Sequence, residues 1–311
     1  PRGGRIEETV GEDPYLVSRM GVAAIRGFQG TGETVPDGKV LTTLKHMTGH
    51  GQPEAGMNIG PAQLPERILR EVFFPPFEAA VKEANAASVM ASYNEIDGVP
   101  SHANDWLLND VLRGEWGFDG VVVADYFAIN ELQVRHRLVD SLGAAGALAI
   151  QSGVDFELPD GVAFYQMKAA IEAGDLDISV IDTAVERVLR MKKRGGVFED
   201  PYADGAEADA LTGNAEARAV ALEAAHKAAV LVKNEGGTLP LDKAEFGDAV
   251  DIVHAKGVML TDNRSWWDDE VNLTDPAENM RMIEDAVAAV QGADVIILAI
   301  GGDESTSREA W

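Results

Sequence analysis

Three short apolar runs in the first part of the chain end on side chains able to do chemistry. Val40 to Leu44 leads into Lys45-His46, Ser88 to Ser92 into Tyr93-Asn94, and Val121 to Ala124 into Asp125. A charge buried at a strand end is costly unless something uses or pairs it. Asp125 therefore reads either as a working carboxylate or as the N-cap of the helix that follows, a position Asp favours. Lys45 and His46 place two donors side by side, which suits hydroxyl groups better than packing. Farther along, the apolar run Asp294 to Ile300 leads into a loop carrying Glu304 and Glu309, which also read as ordinary solvated carboxylates. His46 and His50 are four apart, as metal ligands can be. The segment between them is a Gly-rich loop, not a helix presenting both rings on one face, and no third ligand stands nearby, so no metal site is expected.

These side chains need a scaffold, and the pattern around them supplies one. Apolar runs alternate with helical patterns from residue 10 to about 200, the signature of parallel strands joined by crossover helices. Such strands are buried on both faces and read as continuous apolar runs, and in such folds chemistry gathers at their carboxyl ends. A helix is expected over Pro65 to Glu71, bent or ended by Pro75 and Pro76. Another is expected over Asp182 to Arg194, with Ile181, Val185, Val188, Leu189 and Met191 as its apolar stripe, a basic last turn and Gly195-Gly196 as its stop. Residues 198–214 are rich in Pro, Gly, Asp and Ala and read as a linker. A second α/β unit is expected after it: helices over Ala215 to Ala229 and Met280 to Val290, and strands over Val230 to Lys233, Asp251 to His254 and Asp294 to Ile300.

Composition narrows the partners. Of the 311 residues 46% are hydrophobic, enough for a large core, and 52 acidic side chains against 26 basic ones give a net charge of −26. Such a field repels nucleic acid and anionic membranes. There is no cysteine, hence no disulfide frame and no thiolate chemistry. No stretch has the length and apolarity of a membrane span, and the first residues lack a signal-peptide pattern. The chain opens without Met inside an apparent loop and closes just after a strand and loop, so both ends are expected to be cut.

Five segments in order, GRIEETVGEDPYL at 4–16, LKHMTGHGQPEAG at 44–56, VMASYNEIDGVPSH at 89–102, WGFDGVVVADY at 116–126 and AVLVKNEGGTLPL at 229–241, resemble family 3 glycoside hydrolases. The resemblance implies an α/β architecture: a partial TIM-type barrel over 1–197, the linker over 198–214, and part of an α/β sandwich domain over 215–311. It implies a retaining exo-acting β-glucosidase acting on β-linked gluco-oligosaccharides without a cofactor, and a periplasmic or secreted location. Retention needs one carboxylate to attack the anomeric carbon and a second carboxyl group to protonate the leaving oxygen. By resemblance Asp125 is the nucleophile, and Glu309, ahead of Glu304, is the acid/base.

The same resemblance gives Arg5, Lys45 and His46 to the sugar hydroxyls, with Glu8 in the Arg5 segment, although the usual Trp-Gly-Arg reads Gly3-Gly4-Arg5 here. It gives Met90 and Tyr93 to the pocket wall. Tyr126 stands where many relatives carry a Trp that grips the second sugar. Trp266-Trp267 could stack on sugars or anchor their own loop. KHMTGHG begins like the histidine loop of the family's β-N-acetylhexosaminidases, but Gln52-Pro53-Glu54 follows without the Asp-Ser-His that branch requires. Two alternatives stay open: a β-xylosidase of the same family, and an inert sugar-binding relative or fragment.

Overall fold

The structure is a computed structural model that describes residues 5–242, 251–262 and 272–302. It divides into two compact units with the boundary between Pro201 and Tyr202.

The first unit is built on parallel strands. Helix α1 (Pro14–Gln29) starts where Asp13 accepts the Leu16 amide at 2.8 Å, with Pro14 in its first turn, and buries Ser18, Val22, Ile25 and Gln29 on one face. Its end is tied to the first strand through Gln29, whose Oε1 accepts from the Thr42 hydroxyl at 2.7 Å. Strand β1 is Thr43–Met47, three residues later than the apolar run indicates. Val40 is exposed and its amide bonds the Phe28 carbonyl; pairing to the next strand starts only at Thr43. Lys45 and His46 therefore lie within the strand, at a register irregularity between Leu44 and Met47.

The crossover departs from expectation at the prolines. A helical turn at Glu66–Ile68 passes into a π-type segment, Leu69–Phe73, and then into helix α2 (Phe74–Ala84). Pro75 and Pro76 fall in the first turn of α2, directly after the π-type segment, so the regular helix is interrupted just before them. They begin that helix and do not end it. Ala80 and Ala84 of α2, with Ala86, pack closely on Val22 and Ile25 of α1.

Strand β2 (Ser88–Ala91) is paired in parallel on both sides, with β1 and with β5 (Val121–Val123). Between them a short hairpin, β3 (Glu95–Ile96) and β4 (Val99–Pro100), turns at Asp97 and Gly98, both at positive φ. A π-helical segment, Trp106–Glu115, then buries Leu107, Leu108, Val111 and Leu112 against the sheet. The parallel order continues past β5 as an isolated bridge from Val123 to Phe156. Asp155 beside it accepts the Val122 amide at 2.8 Å and pairs with Arg113 at 2.6 Å and Arg187 at 2.8 Å. Two guanidiniums thus compensate one buried carboxylate that fixes β5.

Helices α3 (Ala128–Val134), α4 (Leu142–Gln151) and α5 (Lys168–Ala173) follow. Helix α6 (Ile178–Arg194) starts at the Asp177 cap, four residues before the expected start, and ends at Gly195 after Lys192, Lys193 and Arg194. Its expected stripe is narrower than drawn, since Val185 and Leu189 are exposed and Ala184 is the buried member. Strands alternate with helices in one parallel order; among the described residues the sheet does not close into a barrel.

The second unit is helical among its described residues. The expected linker contains helix α7 (Gly205–Leu211), because Asp204 caps it through the Ala206 and Glu207 amides. Helix α8 (Ala215–Ala228) is capped by Asn214 and helix α9 (Pro276–Ala289) by Asp275. The strands expected at 230–233, 251–254 and 294–300 are absent, and those apolar residues are largely exposed. A strand needs a partner for its N–H and C=O groups, and the described residues give these runs none; the unit's isolated Thr261–Leu273 bridge lies outside them.

Candidate active site

Asp125 lies just past β5. Ala124 still belongs to the sheet, its amide donating to the Phe156 carbonyl at 2.8 Å, so the next side chain is delivered at the strand mouth. The Asp125 residue is 8% exposed. Its Oδ1 accepts the Tyr126 amide at 2.8 Å, and its backbone N–H donates to His102 Nε2 at 3.1 Å. Oδ2 is buried without a hydrogen bond, and His46 Nε2 lies 3.4 Å from it. Asp125 is not the cap of α3: the N-cap position is Phe127, which makes no side-chain cap. Burial pushes the Asp125 carboxyl above its ordinary range, while the Tyr126 amide, the Tyr93 hydroxyl and the charges of Arg5 and Lys45 pull it back.

From Oδ2 a continuous chain of polar side chains leads outward. His46 stacks on His50 with ring centroids 4.1 Å apart. Although no helix carries them, the two rings do meet, so the Gly-rich loop is no barrier to their approach. His50 Nε2 in turn lies 3.0 Å from Arg5 Nη1, and Arg5 grips Glu8 with two bonds of 2.5 and 2.6 Å. Burial first, and the neighbouring cations second, push His46 down to about 2 and His50 down to about 4. Both rings are therefore neutral near pH 7. The hydrogen bond from Arg5 holds Glu8 below its ordinary value. The loop after His46 can double back because Gly49 adopts φ +72°, and a Cβ there would meet Leu64 Cδ1 at 2.6 Å.

Arg5, Glu8, Lys45, His46 and His50 line a cavity of ≈ 530 Å³ together with apolar side chains that include Phe73 and Phe77. Asp125 is not in that wall; His46 is the group common to the cavity and the carboxylate. Tyr93 is buried and donates its hydroxyl to the Tyr126 carbonyl at 2.7 Å, so it braces the segment bearing Asp125. Met90 is half-buried on β2, opposite Val123. Tyr126 is 51% exposed and packs edge-on to Phe127. Glu304, Glu309, Trp266 and Trp267 lie outside the described residues. His50 and His102 received no functional role from the sequence. Their signal was their place inside the KHMTGHG and VPSH segments, but nothing in the spacing says that His102 reaches Asp125.

Parallel strands with polar side chains at their carboxyl ends define an α/β protein whose chemistry gathers at the strand mouths. Residues 1–191 match the glycosyl hydrolase family 3 N terminal domain, and the chain belongs to that family. It is 43% identical to a beta-xylosidase of Formosa agariphila over 79% of this chain and 35% of that protein. It is 30% identical to a periplasmic beta-glucosidase of Salmonella typhimurium over 100% of this chain and 46% of the relative. Among solved structures, a β-glucosidase from Erythrobacter marinus superposes with a TM-score of 0.93 at 34% identity, covering 100% of this chain and 47% of the other. The Listeria innocua β-glucosidase in complex with glucose gives 0.73 at 35% identity, over 78% and 33%. The chain thus spans less than half the length of these relatives.

Proposed function

We propose that this chain carries the nucleophile half of a retaining β-glycosidase that removes non-reducing terminal β-D-glucosyl residues from oligosaccharides. The observation that carries the reading is Asp125 itself: a buried carboxylate past the end of β5, one oxygen held by an amide and the other free of hydrogen bonds beside His46. In this reading Oδ2 attacks the anomeric carbon, forming a glycosyl ester as the glycosidic C–O bond breaks. Glu309, with Glu304 as second choice, sits roughly 5–5.5 Å from the Asp125 carboxylate in such a pair, protonates the departing oxygen through a direct hydrogen bond and then, as base, activates the water that hydrolyses the ester. Arg5, Lys45 and His46 bind the sugar hydroxyls, Glu8 orients Arg5, Met90 and Tyr93 wall the sugar, and Tyr126 faces the second sugar.

No step in this scheme needs a metal or cofactor. The domain reading follows the same division of labour: 1–197 as the barrel part with the nucleophile, 215–311 as part of the sandwich domain with the acid. The Salmonella relative, named as periplasmic, supports a periplasmic or secreted location. Among the described residues no helix is long and apolar enough to cross a membrane.

A second reading, release of β-D-xylosyl residues, is favoured by the Formosa beta-xylosidase at 43% identity. The two sugars differ by one hydroxymethyl group. Nitrophenol release from the β-glucoside, β-xyloside and β-N-acetylglucosaminide by the full-length protein separates them: the glucoside is expected to be fastest, and Asp125→Ala should abolish its hydrolysis. Fastest turnover of the xyloside would instead select the second reading. Glucoside hydrolysis that survives Asp125→Ala would defeat the nucleophile assignment.

A further inference from the structure

The direct ladder between β2 and β5 stops at Met90 and Val123. Its amides run from Val121 onto the Ala87 carbonyl at 3.2 Å, and the same alternation would bring the Asp125 amide onto Ala91. It goes elsewhere: Asp125 N–H donates to His102 Nε2 at 3.1 Å. The Ser92 backbone is the ring's other polar neighbour, favouring its charged form. Because Nε2 accepts, the proton resides on Nδ1, and this division of roles fixes the tautomer. His102 is 2% exposed, so its bond to the Asp125 amide has no water as a substitute.

The turn that carries the ring is itself anchored to β2. Ser101 donates to the Asn94 carbonyl at 2.7 Å and its hydroxyl meets that of Ser92 at 3.2 Å. Ser92 in turn donates its amide to the Met47 carbonyl of β1 at 2.7 Å. The ring is therefore held by the sheet it bridges. It cannot swing away without breaking buried hydrogen bonds.

We infer that His102 is a positioning residue for the nucleophile: its neutral imidazole replaces the last rung between β2 and β5, setting the backbone at Asp125 so that Oδ2 faces the sugar. This rests on the reading of Asp125 as nucleophile. Burial, its largest influence, pushes His102 down to about 3, so the accepting lone pair persists at any pH where the fold is used.

The test uses a 2-deoxy-2-fluoroglucosyl fluoride on the full-length protein. Its fluoride leaves without an acid as the Asp125 oxygen bonds to the anomeric carbon, so the inactivation rate constant at saturation reads the attack alone, and the half-saturation concentration reads binding. His102→Leu removes the acceptor at similar volume and should lower the saturating rate by about 100-fold, the loss expected for a misplacement near 1 Å. Half-saturation should stay within about threefold of the wild type, far inside what a lost sugar contact to a charged group would cause. His102→Gln, whose amide oxygen reaches the place of Nε2, should recover about tenfold or more of that rate; His102→Asn, one bond shorter, should not.

If the Leu variant does not fold, the Gln and Asn variants carry the comparison, and equal rates for those two overturn the inference. An unchanged saturating rate in a folded His102→Leu also overturns it, as does a loss carried by half-saturation. Wild-type protein that is never labelled at Asp125 would defeat the nucleophile reading itself, and this inference with it. Labelled wild type with indifferent His102 variants would defeat this inference alone.

Discussion

Leu108 and Leu298 each belong to an apolar run of a glycoside hydrolase chain, yet Leu108 is 0% exposed and Leu298 is 79% exposed. The first packs from a crossover segment onto a parallel sheet with partners on both sides of β2. The second lies in a run that has no strand to pair with among the described residues. Apolarity alone therefore does not make a strand; a neighbour's carbonyls and amides complete it. The same contrast runs through the proposed chemistry. Asp125 stands on the completed sheet, while its proposed partner carboxylate belongs to the other stretch of chain.

The largest break in that contrast is at the nucleophile. Asp125→Ala is expected to lower kcat about 10⁴-fold or more in the full-length protein, as loss of a catalytic-centre residue does. A nitrophenyl glucoside assay reads it directly. Next comes the partner: Glu309→Ala should cost about 10²- to 10⁴-fold on substrates with poor leaving groups, the range of general acid catalysis. It should cost little on a dinitrophenyl glycoside, and azide should restore turnover. If Glu304→Ala shows that pattern instead, the acid moves to Glu304.

The packing contrast follows. In the 311-residue chain Leu108→Ala should destabilise the first unit by about 2–5 kcal/mol, the range for an emptied core leucine. Leu298→Ala should stay within about 0.5 kcal/mol, as surface changes do. Urea unfolding of both variants compares them, and a large effect at Leu298 would show that its run is packed after all. Smaller still, Arg5→Ala should reduce kcat/KM about 10- to 100-fold through loss of a charge-assisted bond to the sugar. An unchanged value would remove Arg5 from the sugar site.

Much of the first unit was legible in residues 40–47, 88–92 and 121–125, because strands buried on both faces must be apolar throughout and end on polar residues. The hydrophobic run nevertheless misplaced β1 by three residues: Val40 is apolar but pairs outside the sheet, and only the partner β2 defines where the strand begins. Pro75 and Pro76 misled for a similar reason. A proline need not end a helix: the path here changes to a π-type turn just before the pair and continues through them as α2. At the site, Asp125, Lys45, His46 and Tyr93 could be found from strand ends, and Arg5, Glu8, Met90 and Tyr126 only by resemblance. The link from His102 to Asp125 spans 23 residues, with a helical segment and β5 between them, and has no local signature.

The smallest effect concerns protons on the completed side. His46, His50 and His102 are pushed to about 2, 4 and 3, below the ordinary 6.5, chiefly by burial. The unfolded chain takes up protons below about pH 6.5 that the folded chain refuses, so stability rises with pH through this window and falls on acidification. Each ring adds at most about 1.4 kcal/mol per pH unit. Comparing urea midpoints at pH 7 and pH 5, His50→Gln should show a shallower acid loss than the wild type; equal losses would mean that His50 protonates freely in the fold.

The central claim is that the Asp125 carboxylate forms the bond to the sugar. Digestion and mass spectrometry of the full-length protein after reaction with a 2-deoxy-2-fluoroglucosyl fluoride read that bond as a mass increment on one peptide. The account predicts the increment on the peptide containing Asp125, localised to that residue. A sugar found on Asp155, Glu157 or any other carboxylate, in an enzyme fully inactivated by the reagent, would contradict it.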